Sequence, residues 1–110
     1  MKLVFPTLLL ALLSPWLAAD EAEYSRGQQL AQQCLGCHGE TGIAPVTTNP
    51  NLAGQNAEYL RYALTAYRDG NRKGGMAFIM QANASSLSDS DIAALALYFS
   101  SQTGRDGSQP

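Results

Sequence analysis

Several features are missing from this sequence, and each absence excludes a class of structure, partner or function. No cluster of basic residues occurs, which argues against nucleic acid or an anionic membrane surface as a partner. No segment alternates as a β-strand does, and no internal repeat is present. The longest apolar stretch, residues 3–13, is shorter than the roughly 20 residues that span a bilayer. Reactive side chains are scarce too: the chain has two cysteines and one histidine.

The N-terminus has the layout of a secretory signal peptide. Lys2 precedes the apolar stretch, and the small residues Ala18 and Ala19 come before Asp20. We therefore predict a signal peptide over residues 1–19, cleavage after Ala19 and a periplasmic protein without stable membrane insertion. An uncleaved membrane anchor is the alternative. The mature chain would hold six basic and nine acidic residues, a formal charge of −3.

The remaining residues predict one all-α domain over 20–104, followed by a flexible tail over 105–110. Gly27 lies inside the first predicted helix, which suggests a close approach by another element. Residues 39–55 and 71–86 show no helical or strand period, apart from one short helical segment. The helices are predicted at Ala22–Gln33, at Asn56 (N-cap) to Asp69, at Met76–Ala82, and from the Ser88/Asp91 capping box to Gly104.

The two cysteines and the histidine stand together in Cys34-Leu35-Gly36-Cys37-His38. This is the Cys-x-x-Cys-His motif for covalent attachment of haem c. Two thiols three residues apart on one turn face the same way and can add to the two vinyl groups of haem. His38 is then held beneath the iron and ligates it.

Three other uses of the motif are disfavoured. A thioredoxin-like site accompanies a βαβ pattern, which is absent. Structural zinc takes four ligands, and this cluster offers three. A disulfide between residues three apart would close too small a loop to stabilise the chain appreciably. The motif therefore predicts one covalently bound haem c.

The distal iron ligand is expected to be a methionine, since no second histidine exists. Met1 lies in the predicted signal peptide, which leaves Met76 and Met80, and spacing alone does not choose between them. His/Met ligation raises the reduction potential and closes the iron to exchangeable ligands. It therefore favours electron transfer.

The chain resembles the class I c-type cytochromes. It is most similar to one domain of the two-haem bacterial cytochromes c-four and to the small cytochromes c-553. The resemblance covers residues 24–102. It is carried by Gly27, CLGCHG at 34–39, Gly42, Pro45, PNLAGQ at 50–55, YL at 59–60, GNR at 70–72, Met80 and LSDSDIAALALYF at 87–99.

The resemblance implies a class I cytochrome c fold, with three to four helices around the haem, and several residue roles. Met80, seven residues before Leu87, takes the place of the distal ligand. Pro45 takes the place of the proline whose carbonyl accepts the imidazole N–H of His38. Gly27 is expected to meet an aromatic residue of the last helix, Tyr98 or Phe99. The single motif in this sequence implies one haem, without an internal electron relay.

These observations predict a non-enzymatic one-electron carrier with unidentified donor and acceptor proteins. One alternative is the haem subunit of a larger redox enzyme, such as a sulfur-compound dehydrogenase. A ligand-binding haem sensor and a zinc module are the others. Ile43, Val46 and Phe78 are expected to pack on the porphyrin, with docking at the haem edge as the alternative. Arg72 is either solvated or paired with a propionate.

Overall fold

The computed structural model describes residues 1–6 and 14–104. Part of the predicted signal peptide, residues 7–13, and the predicted tail, residues 105–110, lie outside the described residues. The described part is helical and contains no strand. Its α-helices are α1 (Pro15–Leu30), α2 (Leu35–His38), α3 (Ala57–Arg68), α4 (Ala77–Ala84) and α5 (Asp89–Ser100), and a 3₁₀-helix, Ala31–Cys34, joins α1 to α2.

Helix α1 starts seven residues before the predicted Ala22. Ser14 is the N-cap residue and Pro15 opens the helix. Proline suits the first helical position because its φ is already helical and no N–H is needed there. The helix continues through Ala19 and Asp20, the predicted cleavage site, and ends at Leu30, before the tighter 3₁₀ turn.

Two helices begin at the predicted caps. The Asn56 side chain accepts a hydrogen bond from the backbone N–H of Tyr59 at 3.0 Å. Ser88 and Asp91 form a reciprocal capping box, with both bonds at 3.1 Å. Helix α5 ends at Ser100, earlier than the predicted Gly104. Helix α4 ends at Ala84, two residues after its predicted end at Ala82.

The core forms where α5 packs against α1 and α3. Helix α4 packs against α3. Gly27 confirms the predicted close approach: a Cβ at this position would overlap the carbonyl oxygen of Ala94 and lie 2.9 Å from Cβ of Tyr98. Tyr98 is therefore the aromatic partner. The core side chains are Ala31, Leu60, Ala84, Leu87, Ile92, Leu95, Ala96, Tyr98 and Phe99.

The irregular segment between α2 and α3 is fastened to this core. The backbone N–H of Gly54 donates to the carbonyl of Phe99 at 3.0 Å. Leu52 donates to the carbonyl of Gly42 at 2.7 Å, which closes the segment on itself. The loop also returns to the end of α2, where the Pro50 carbonyl lies beside His38. No helix within residues 1–6 and 14–104 is both long and apolar enough to cross a bilayer.

Candidate functional site

The Cys-x-x-Cys-His motif forms a continuous helical turn. Cys34 ends the 3₁₀-helix, and Cys37 and His38 complete the single turn of α2. Residues three apart on a helix are neighbours on one side of it. Both cysteines are free thiols, Cys34 half-buried and Cys37 exposed. The turn therefore presents two thiols together, with the histidine directly after them.

The Cys34 thiol is held in its protonated form at neutral pH. Burial raises its pKa to about 11, and the neighbouring Cys37 contributes to the rise. In the described residues no group of three or more His, Cys, Asp and Glu side chains is arranged to hold a metal ion.

His38 is buried, with 6% of its surface exposed. Its Nδ1 lies 2.9 Å from the carbonyl oxygen of Pro50. A carbonyl can only accept, so Nδ1 carries the proton and donates it to this bond. The other ring nitrogen, Nε2, is then unprotonated in the neutral ring, which is the form that ligates a metal.

The predicted role of Pro45 is wrong, because the carbonyl that faces His38 belongs to Pro50. Pro45 lies exposed in a bend early in the loop, before a turn in which the N–H of Asn49 donates to the carbonyl of Val46 at 3.0 Å. That turn brings Pro50 back to the imidazole. The signal was available in the sequence, since Pro50 opens the PNLAGQ segment on which the resemblance partly rests.

Two asparagines that sequence reasoning missed flank Pro50. The side chain of Asn49 donates from Nδ2 to the carbonyl oxygen of Cys37 at 3.0 Å. The side chain of Asn51 accepts from the backbone N–H of Ala44 at 2.8 Å. Asparagine is common in loops, and its spacing here carries no signal for a contact with the motif.

The two candidate methionines occupy different parts of α4. Met76 is the N-cap residue and is 63% exposed. Met80 lies inside the helix and is half-buried. The role of Met80 as distal ligand stays a prediction.

The remaining residues singled out from the sequence have varied surroundings. The Arg72 guanidinium lies over the ring of Tyr67, with its central carbon 4.8 Å from the ring centroid. Arg72 is exposed, which agrees with the expectation of a solvated side chain, and its pairing with a propionate stays a prediction. Val46 and Phe78 are exposed and Ile43 is half-buried.

Comparison with known proteins identifies the family. The profile of the family described as Cytochrome c matches residues 24–103. The chain belongs to the cytochrome c family. The matched range includes the attachment turn, the Pro50 loop, α4 and α5. The members of this family are electron-transfer proteins that carry covalently attached haem c, and the thiol pair and the buried His38 fit that group.

Individual relatives agree with this family. Cytochrome c-554(548) of Halomonas halodenitrificans is 49% identical over 76 residues, which are 69% of this chain and 92% of the relative. The cytochrome subunit of sulfide dehydrogenase from Chlorobaculum tepidum is 32% identical over 75 residues, 68% of this chain and 64% of that protein.

A solved structure confirms the fold. Reduced recombinant cytochrome c4 from Pseudomonas stutzeri matches with a TM-score of 0.66 and 34% identity over 74% of this chain and 49% of that one. The predicted all-α, class I cytochrome c fold is therefore confirmed. The chain spans less than half the length of the curated cytochrome c4 sequences that it matches.

Proposed function

We propose that this cytochrome c domain is a periplasmic one-electron carrier with a single haem c ligated by His38 and Met80. The observation that carries the proposal is the state of His38. This histidine is buried, its Nδ1–H is taken by the Pro50 carbonyl, and Nε2 is left as the metal-binding atom. It directly follows Cys37, so His38 would be within reach of a group tethered to the thiols.

Each residue would have a distinct task. Cys34 and Cys37 would form the two thioethers, and their thiol hydrogens would add with the sulfurs across the vinyl groups. Pro50 would orient His38 and increase its basicity. The haem iron supplies one-electron Fe(III)/Fe(II) chemistry when bound. Met80 would close the sixth position, which excludes small exchangeable ligands from the iron.

The two methionines provide a matched test of the ligand set. The wild type, Met80→Ala and Met76→Ala are expressed with the haem-maturation system in the periplasm, and visible spectra are recorded in both redox states. We expect the wild type and M76A to show a sharp reduced α-band and the weak red ferric band of a Met–iron bond. M80A should lose the ferric band, and its ferrous form should bind carbon monoxide.

Other outcomes have clear meanings. If M76A loses the ferric band and binds carbon monoxide while M80A behaves like the wild type, the distal ligand is Met76. Rapid carbon monoxide binding by the ferrous wild type would favour the sensor alternative. A product without the haem α-band would overturn the proposal. Intact mass gives the number of haems, and N-terminal sequencing of the exported protein tests cleavage after Ala19.

A second candidate function is the haem subunit of a sulfur-compound dehydrogenase. It is favoured by the similarity to the cytochrome subunit of sulfide dehydrogenase. In that case the electron donor would be a flavin or molybdenum chain in the same complex. Purification from the native periplasm distinguishes the two, since a free carrier elutes alone and a subunit elutes with its enzyme.

A further inference from the structure

Asn49 and Pro50 hold the end of α2 at two adjacent residues. The Nδ2 of Asn49 donates to the Cys37 carbonyl at 3.0 Å, and the Pro50 carbonyl accepts from Nδ1 of His38 at 2.9 Å. Because each pair of residues is adjacent in the chain, the two hydrogen bonds close a small ring. One bond alone leaves the imidazole free to pivot about its acceptor. The second bond restrains the peptide unit from which the imidazole extends.

The Cys37 carbonyl takes its donor from outside α2 because of the way this helix ends. The last carbonyls of a helix have no partners within it. Gly39 follows with φ +85°, and its N–H donates to the Leu35 carbonyl at 2.9 Å. The chain then turns away, and the side chain of Asn49 supplies the donor from across the loop.

Asn49 is itself fixed by the turn that precedes it. Its backbone N–H donates to the Val46 carbonyl at 3.0 Å, which closes the turn before it. Beyond Pro50, Asn51 accepts from the N–H of Ala44 at 2.8 Å, and Ala44 is only 4% exposed. The turn therefore fixes Asn49 beside the end of α2, whereas the Asn51 bond fastens the loop beyond Pro50 and involves neither Cys37 nor His38.

We infer that Asn49 is a positioning residue for His38 and that it lowers the reduction potential of the haem iron. This inference rests on the proposed role of His38 as an axial ligand. A firm hydrogen bond from Nδ1 to a carbonyl makes the imidazole a stronger electron donor, which stabilises Fe(III). Asn49 keeps that bond short by holding the Cys37–His38 peptide. Loss of Asn49 loosens the bond and raises the potential.

The test uses holoprotein matured in the periplasm. The variants are Asn49→Ala, the isosteric Asn49→Asp and the matched control Asn51→Ala. A carboxylate at position 49 cannot donate and repels the Cys37 carbonyl, whereas N51A removes a loop bond and leaves the Cys37 bond intact. The measurements are the reduction potential, the g-values of the ferric electron paramagnetic resonance spectrum and the melting temperature.

We expect N49A to raise the potential and shift the g-values, which follow the orientation of the axial ligands. N49D should also shift the g-values, whereas its added negative charge stabilises Fe(III) and opposes the rise in potential. N51A should lower the melting temperature while the potential and g-values stay as in the wild type. The inference is overturned if N49A, like N51A, changes only the melting temperature. If N49D yields no holoprotein, the potential and g-values of N49A alone test the inference. Failure of the proposed function is distinguishable from this result, because the wild-type protein would then lack the haem α-band.

Discussion

Gly27 of α1 lies against the backbone of Ala94 in α5 with no room for a side chain. A Cβ at Gly27 would overlap the carbonyl oxygen of Ala94 and lie 2.7 Å from its carbonyl carbon. These are backbone atoms of a buried helix, so they cannot rotate aside. The two helices approach this closely only because position 27 is glycine.

We predict that Gly27→Ala lowers the free energy of unfolding of the holoprotein by about 3 kcal/mol, the upper end of ordinary overpacking. Gly27→Val should cost more. The control is Gly36→Ala, because a Cβ on Gly36 would meet nothing within 4 Å. Chemical denaturation measures the difference. Equal stability of the two alanine variants would contradict the contact between α1 and α5.

Asp91 links the same two helices and makes stability depend on pH. Its pKa is held below the ordinary 3.8 by the backbone N–H of Ser88 and then by the guanidinium of Arg26, 2.5 Å away. A lowered pKa stabilises the folded state above pH 4, and this stabilisation is lost as the pH falls through the folded-state pKa.

We predict that Asp91→Asn lowers the free energy of unfolding by about 0.5–1 kcal/mol at pH 7, because the pair with Arg26 is partly solvated. The difference from the wild type should close below pH 4. Asp89→Asn is the control, since Asp89 is 91% exposed in its pair with Arg68. A difference for D91N that stays constant from pH 7 to pH 3 would argue against the charge as its source.

The assignment of Pro50 as the partner of His38 predicts unequal effects of two proline substitutions. Pro50→Ala keeps the carbonyl but frees the backbone, so we expect a loss of about 1 kcal/mol in unfolding free energy and a rise in reduction potential. Pro45→Ala, at an exposed bend, should leave the potential unchanged. A shift in potential with P45A alone would restore the prediction made from the sequence.

The capping box of α5 predicts a local loss of stability. Ser88→Ala removes the acceptor for the backbone N–H of Asp91, and we expect a cost of about 1 kcal/mol. Ser86→Ala, at an exposed position two residues earlier, should have little effect. Thermal unfolding of both variants checks this, and equal melting temperatures would contradict the energetic role of the cap.

Some of these features could be read from the sequence because their signals are local. Asn56 and Ser88 cap helices with atoms three residues away, and Gly27 marked a close approach inside a helix. The attachment motif is contiguous, and its chemistry follows from its spacing. The resemblance to class I cytochromes then correctly indicated the fold and the aromatic partner in α5.

Other features depend on how distant segments meet. The choice between Pro45 and Pro50 is decided by a loop that reverses twice before it returns to His38. Arg68 donates to Asp89 at 2.7 Å and to the Leu87 carbonyl at 3.3 Å, across the junction before α5. Neither contact leaves a periodic or local signal in the sequence.

The pairing of α1 with α5 also constrains the order of events during folding. Arg26 and Asp91 are 65 residues apart, and Tyr24 and Gln102, which are hydrogen-bonded at 3.0 Å, are 78 apart. Helix α1 cannot bury Gly27 until α5 packs against it, whereas Cys34 and Cys37 follow directly after α1 in the chain. The thiols are thus available on a chain whose terminal helices have not yet met. Covalent attachment at that stage would tether the haem before the core closes around it, so the fold would complete itself on a cofactor that can no longer leave.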